Sequence, residues 1–302
     1  MGNVSADTVG NLSHAQRDST FEEAVNRIVD KVKARGDLPY VSVARQLELI
    51  TQLSEFDLGR FLLERGGLNG YWTHYLVTYP ENDRNLPSNV LEAFMLKQAP
   101  TALATQQRFT IFKREIQARL HEGISLASIP CGLMSDLLDL DFSQASTFSL
   151  TGIDLDPESI SLCKQMAEER GLAKHCEFYE RNAWELNVHE EFDLITSNGL
   201  AMYEPDEERV IALYREFFKS LKPGGWLITS FLTPPPWKAD AVNFQDALLQ
   251  KILFADILDC KWQTFRSEVS VKSQLDRAGF VDIEIVYDAA HIFPTIIGQK
   301  PK

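Results

Sequence analysis

The sequence predicts an α/β fold. It is a doubly wound, mostly parallel seven-stranded sheet with an antiparallel C-terminal hairpin strand, preceded by a helical N-terminal segment. Three observations predict it. From residue 123 onward, short apolar runs alternate with amphipathic helical stretches, the pattern of repeated βα units. Asp, Pro and Gly punctuate those helices at their ends. The last two strand-like runs, 281–287 and 292–299, are joined only by Asp288 to His291. That connection is too short for a crossover helix, so the two strands must be antiparallel.

The elements follow in order. Residues 1–20 are rich in Ser, Asn, Asp and Gly and read as a disordered tail. Phe21, Ala24, Val25, Ile28 and Val32 then fall at helical spacing and mark one apolar stripe. Further helical stretches lie near 40–52, 55–65, 87–98 and 101–121. Gly66-Gly67-Leu68-Asn69-Gly70 reads as a flexible turn. Residues 21–122 are therefore expected to be a mainly helical lid or substrate segment, and 123–302 the sheet domain.

Strand one covers 124–129 and breaks at Pro130-Cys131-Gly132. Strand two covers 147–153 and ends at Asp154. The next helix has Asp156 as N-cap, Pro157 at its first position and Gly171 as its stop, and it buries Ile160, Cys163 and Ala167. Strands three and four are 176–179 and 192–196. A helix from about Asp206 carries Val210, Leu213, Tyr214, Phe217 and Leu221 on one face. Lys222-Pro223-Gly224-Gly225 is expected to turn the chain into strand five, 226–232. Residues 238–265 read as an inserted helical region, followed by a helix at about 269–278.

Composition narrows the function. The chain has 302 residues, 44% hydrophobic and 24% charged, and a formal net charge of −13. A core of ordinary size is available without staples. The acidic balance, with no Lys/Arg run, disfavours nucleic acid and anionic membrane as partners. None of the four cysteines, Cys131, Cys163, Cys176 and Cys260, sits in a CxxC pair, and there is no HExxH, so no metal is expected. The first 20 residues lack the apolar core of a signal peptide, and no run approaches the length of a membrane span. A cytoplasmic protein is the expectation; the oligomeric state is not legible.

Open α/β sheets bind ligands at the carboxyl ends of their strands, so the residues after each strand carry the chemistry. After strand one, Gly132 lets the backbone approach a ligand closely. After strand two comes Asp154, at the spacing from the first turn where an acid reaches a ribose diol; a carboxylate can accept from both hydroxyls. After strand three, the Asn182 amide can both donate to and accept from an adenine edge. It can equally be a turn residue. After strand four, Ser197-Asn198-Gly199-Leu200 lies beneath the reacting end.

Over about residues 123–302 these segments resemble a class I S-adenosylmethionine-dependent methyltransferase. Gly152-Ile153-Asp154-Leu155-Asp156-Pro157-Glu158 is similar to the family's second motif. Phe192-Asp193-Leu194-Ile195-Thr196-Ser197-Asn198-Gly199-Leu200 is similar to the fourth, and Leu221-Lys222-Pro223-Gly224-Gly225 to the turn before strand five. The first motif departs from the acidic-x-Gly-x-Gly-x-Gly pattern. Ser128 stands at the acidic position, Pro130 at the first glycine and Met134 at the third; only Gly132 is kept. The resemblance implies S-adenosylmethionine as cofactor. It implies that Asp154 binds the ribose with Leu155 against the adenine, and that Asn182 meets the adenine edge with Ala183 beside it. Ser128, Pro130, Cys131 and Gly132 would line the methionyl side, and Asn198 and Gly199 would lie below the sulfonium.

Other residues carry two readings. Tyr71-Trp72-Thr73-His74-Tyr75 is either core packing or an aromatic lid over the sulfonium or substrate, since aromatic faces attract cations. Tyr71 and Trp72 are its candidate cofactor contacts. His74 is a candidate base or a surface histidine. Tyr203, beyond strand four, is a candidate substrate contact. Cys131 reads as a packed small residue rather than a nucleophile, for want of a paired His. The expected activity is methyl transfer to a small-molecule acceptor. The alternatives are a non-catalytic module that binds S-adenosylmethionine or S-adenosylhomocysteine, and an NAD(P)-dependent oxidoreductase. The latter needs a glycine spacing for pyrophosphate that Ile129-Pro130-Cys131-Gly132-Leu133-Met134 lacks.

Overall fold

Alternation of apolar side chains along each strand builds two cores, one on either face of a single sheet. The computed structural model describes residues 20–81, 86–260 and 264–302. The strands are β1 (Ile124–Ser128), β2 (Phe148–Asp154), β3 (Cys176–Glu180), β4 (Phe192–Ser197), β5 (Leu221–Ser230), β6 (Val281–Val286) and β7 (Thr295–Gln299). Their order is β3-β2-β1-β4-β5-β7-β6. β1 to β5 pair in parallel, whereas β7 runs antiparallel to both β5 and β6. The fold class read from the sequence is the one observed.

The helices, in chain order, are α1 (Phe21–Arg35), α2 (Val43–Leu53), α3 (Asp57–Arg65), α4 (Gly70–Thr78), α5 (Val90–Lys97), α6 (Pro100–Gln117), α7 (Ser135–Leu138), α8 (Pro157–Glu169), α9 (Glu207–Ser220), α10 (Phe244–Lys251) and α11 (Glu268–Ala278). On one sheet face, Leu126, Leu150, Leu194, Ile228 and Ile297 meet Phe112 and Ile116 of α6 and Ile160, Cys163 and Ala167 of α8. On the other, Ala127, Ile153, Ile195, Leu227 and Ile296 meet Val210, Tyr214 and Phe217 of α9 and Val271 and Leu275 of α11. Residues one apart on a strand thus serve opposite cores. Fully burying each large apolar side chain is worth roughly 1.5–3 kcal/mol. These two layers, more than local propensity, hold the helices in place.

The chain divides into two compact units, one of Met1–Leu103 and Ala239–Trp262, the other of Ala104–Lys238 and Gln263–Lys302. The sequence places a boundary at 122/123; the compact units divide inside α6, and the segment inserted after β5 clusters with the N-terminal helices. Within the helical unit, α1 packs on α2 and α3. Thr101 N–H and Oγ1 both donate to Gln250 Oε1 at 2.8 Å.

Several local expectations change. Of the expected tail, residues 1–19 lie outside the described residues. Thr20 is the N-cap of α1: its hydroxyl accepts from Glu23 N–H, and the Glu23 carboxylate accepts from Thr20 N–H, a capping box. The Gly66–Gly70 stretch is not a free turn. Gly66 closes α3 in the left-handed conformation, at φ 71°, and Asn69 caps α4 by accepting from Trp72 N–H at 2.9 Å. Pro223-Gly224-Gly225 does not precede β5 but lies within it, where the pairing with β4 slips between Phe192 and Leu194. A Cβ on Gly225 would sit 2.9 Å from the Lys222 carbonyl oxygen and 3.1 Å from that of Asp193, so only glycine fits that irregularity.

Candidate functional site

β1 and β4 are neighbours while β2 follows β1 outward in the other direction, so the sheet reverses its winding between β1 and β4. That switch point is where open sheets bind ligands. Gly132 follows β1 at φ 48°, and its N–H donates to Asp154 Oδ2 at 2.9 Å. Asp156 N–H donates to Asp154 Oδ1 at 3.1 Å. The carboxylate at the end of β2 is thereby fixed from two sides, and each carboxylate oxygen has two lone pairs. Cys131 N–H donates to the Ile153 carbonyl at 2.9 Å, which ties the same loop to β2. Asp156 caps α8 as expected, accepting from Glu158 and Ser159 N–H.

The first motif lacks its acid at Ser128, yet a carboxylate stands there. Asp136, in α7, is buried, and Ser128 Oγ donates to its two oxygens at 3.2 and 3.1 Å. Thr196 Oγ1, on β4, donates to Asp136 Oδ2 at 2.6 Å. Burial pushes the Asp136 carboxyl above the usual carboxylate range, against the lowering effect of these hydroxyls. Asp136 was missed in the sequence. Its signal was the polar residue eight places after Ser128, one helical start beyond the loop.

Cys131 is buried, with its thiol pushed well up by the Cys163 thiol and by burial. It is a packed residue in this arrangement. At the end of β2, Leu155 is 46% exposed, an apolar side chain left open beside Asp154. In the turn after β3, Asn182 Oδ1 accepts from Trp184 N–H at 3.1 Å, so this amide oxygen closes an Asx turn. Ala183 is buried in the same turn, within the α9 and α11 core.

At the end of β4, Asn198 Oδ1 is buried with no hydrogen-bond partner. Gly199 adopts φ 92° and has open space where a Cβ would point. A 3-10 turn, Leu200–Tyr203, follows. It is clamped by buried Arg266, which donates to the Ala201 carbonyl at 2.9 Å and to the Glu204 carbonyl. A second buried arginine, Arg108 of α6, donates weakly to Ser230 Oγ at the end of β5, at 3.4 Å, and lies over the Phe293 ring at 4.7 Å. Sequence reasoning missed Arg108 because its neighbours come from β5 and from the segment before β7, far along the chain.

Tyr71, Trp72 and His74 belong to the helical unit, on α4. There Trp72 meets Tyr71 and Tyr75 edge-on, with ring centroids 5.0 and 5.4 Å apart. Tyr71 is 45% exposed. The structure therefore gathers Ser128, Cys131, Gly132 and Asp154 around one turn of the sheet unit, with Asn198 and Gly199 on the neighbouring strand. Trp72 also packs on Phe61 of α3, with ring centroids 6.0 Å apart. Among the described residues, no helix is long and apolar enough to cross a membrane.

These groups fit an adenosyl ligand with a cationic centre. They supply an anchored carboxylate for a diol, a buried acid, an unpartnered amide oxygen and an open glycine. The strand order, with its reversed seventh strand, defines a class I methyltransferase fold. A family model described as a methyltransferase domain matches residues 129–264. A Bordetella parapertussis protein described as a possible exported protein is 40% identical, with a TM-score of 0.89, covering 96% of this chain and 98% of its own. The S-adenosylmethionine-dependent methyltransferase SibL is 15% identical (TM-score 0.54; 86% of this chain, 75% of its own). Magnesium protoporphyrin IX methyltransferase of Synechocystis PCC 6803, solved with bound S-adenosylhomocysteine, is 15% identical (TM-score 0.52; 76% of this chain, 94% of its own). No curated protein gives a significant match. The chain has the class I methyltransferase fold, and its residues 129–264 are similar to a methyltransferase domain.

Proposed function

We propose that the chain is an enzyme that moves a methyl group from S-adenosylmethionine to a small-molecule acceptor. The observation that carries this reading is the Asp154 carboxylate, held at the end of β2 by Gly132 and Asp156 N–H. When bound, the cofactor supplies an activated methyl group, so the protein mainly has to position and polarise. Asp154 accepts from the ribose hydroxyls. Exposed Leu155 covers one adenine face. Asp136 faces the amino end of the methionyl arm with negative charge, the task the missing acid at Ser128 would otherwise perform. Asn198 and Gly199 leave room for the reacting end, and the Asn198 amide oxygen is available there.

Asn182 contributes to the adenine pocket through its Asx turn and its amide nitrogen, with Ala183 packed beneath. Ser128, Pro130, Cys131 and Gly132 line the methionyl side. Tyr203 is the acceptor-side contact. Tyr71 and Trp72 stay candidate cofactor contacts, and His74 a candidate base where the nucleophile arrives protonated. Net charge −13 favours a small acceptor over nucleic acid. Four unbridged cysteines favour the cytoplasm; cell fractionation tests this.

The functional test is calorimetric titration with S-adenosylmethionine and S-adenosylhomocysteine, with NADH as control. Micromolar binding of both adenosyl ligands and none of NADH is expected. Silence from both removes this reading.

A further inference from the structure

On the sheet face that α6 covers, polar side chains form a row at the carboxyl ends of the strands. Ser128 of β1 pairs in register with Thr196 of β4, and Ser230 of β5 pairs with Thr295 of β7. Ser230 lies two residues beyond Ile228 and Thr295 two before Ile297, both of which face α6 and α8. Strand alternation puts Ser230 and Thr295 on that same face. The first pair, with Asp136, is fully engaged. The second pair is not. Thr295 Oγ1 is buried with no partner, and so is Nε of Arg108, which lies beside Ser230.

Arg108 is 7% exposed and forms no ion pair with a described carboxylate. Asp288, an acid that acts on Arg108, is already engaged by the N–H groups of Ala290, Ile292 and Phe293, at 3.0, 3.1 and 2.7 Å. Arg266, also buried, differs: its guanidinium holds two carbonyls. Burial lowers the Arg108 guanidinium to about 10, so it stays charged at neutral pH. A buried cation with one long hydrogen bond and a planar fork of donors is a site short of an anion.

We infer that Arg108, with Thr295 beside it, is the recognition group for a carboxylate on the methyl acceptor, so that the acceptor is a small carboxylic acid. This rests on the methyltransferase reading and names its substrate class. The placement favours the acceptor over the cofactor's own carboxylate. Arg108 sits over β5 and the segment before β7, while the groups assigned to the cofactor follow β1, β2 and β4. Strands are about 4.8 Å apart, so a carboxylate on Arg108 lies one strand beyond Asn198 and Gly199.

The test uses the full chain, Arg108→Met and Arg108→Lys. S-adenosylhomocysteine and 5′-methylthioadenosine, which lacks the amino-acid end, are titrated into each. Both affinities should stay within about twofold of wild type. A loss of tenfold or more for S-adenosylhomocysteine alone would assign Arg108 to the cofactor and overturn the inference. Melting curves of the S-adenosylhomocysteine-loaded proteins are then taken with formate, benzoate and benzamide at equal ionic strength. The carboxylates should raise the wild-type midpoint by roughly 2–4 °C, benzamide should not, and Arg108→Met should lose the effect while Arg108→Lys keeps part of it. No carboxylate shift in wild type, or an equal shift in Arg108→Met, overturns it. If S-adenosylhomocysteine does not bind wild type at all, the methyltransferase reading fails first; a formate shift on the unloaded protein that Arg108→Met abolishes would leave an anion site standing without it.

Discussion

Thr196 Oγ1 donates to Asp136 Oδ2 at 2.6 Å, and Ser128 Oγ reaches the same carboxylate from the neighbouring strand. Two hydroxyls from β1 and β4 thus hold an acid over the switch point. Burial raises this carboxyl in the folded protein, while in the unfolded chain it ionises near 3.9. A raised folded value means that the group's contribution to stability is present below the unfolded value and is lost as pH rises through the folded one. Asp136→Asn should therefore gain stability relative to wild type as pH rises from about 4 and level off above the raised value. Melting midpoints from pH 4 to 8 check this; a difference between variant and wild type that stays constant or moves against the variant as pH rises would contradict it. The same variant should bind S-adenosylhomocysteine about tenfold or more weakly, since a charge-assisted contact is worth roughly 1.5–3 kcal/mol.

Asp154→Ala removes the acceptor for the ribose and leaves Gly132 and Asp156 N–H without theirs. Affinity for S-adenosylhomocysteine should fall about a hundredfold, from two charged hydrogen bonds lost in part. Calorimetry reads this directly, and an unchanged constant would remove Asp154 from the site.

Gly152 has no room for a side chain. An added Cβ would lie 2.8 Å from a Phe178 ring carbon and 3.2 Å from both Cys131 Sγ and Met134 Sδ. Gly152→Ala should cost about 1–3 kcal/mol, seen as a lowered midpoint in urea unfolding. It should also weaken cofactor binding, because Cys131 and Met134 flank Gly132. A midpoint equal to wild type would show that the loop yields freely.

Glu122 lies on the surface, where hydroxyl and N–H groups of Ser146 and Thr147 hydrogen-bond to it and hold its carboxyl down to about 2. Here the folded value is depressed. Its contribution is present above the ordinary Glu value near 4.3 and disappears as pH falls toward about 2. Glu122→Gln should flatten the decline of the melting midpoint over that window and leave the curve above pH 5 parallel to wild type.

Much of this was legible in the sequence because it rests on local rules. Asp156, Pro157 and Gly171 delimit α8 by capping chemistry confined to a few neighbours. Asp154 could be placed from its spacing after β1, and the final hairpin from the shortness of its connection. Asp136 and Arg108 were not legible. Each acquires meaning from partners on other strands: Thr196 is 60 residues from Asp136, and Ser230 is 122 from Arg108. α4 was read only as an aromatic run because its cap, Asn69, lies inside a glycine-rich stretch that otherwise signals a turn. β5 was begun too late because a strand interrupted by Pro223 and two glycines looks like a break until its partner shows the slip in register.

The helical unit is written in two separate passages of the chain. Lys31 pairs with Asp259 at 2.8 Å, the Tyr40 hydroxyl meets Asp256 at 3.1 Å, and Thr101 meets Gln250. A graft of the first hundred residues from a relative would therefore bring only half of a set of matched surfaces. Exchange between such proteins has to take both passages together. Substitutions in 239–262 should accordingly drift in step with those near the start of the chain rather than with the strand that precedes them.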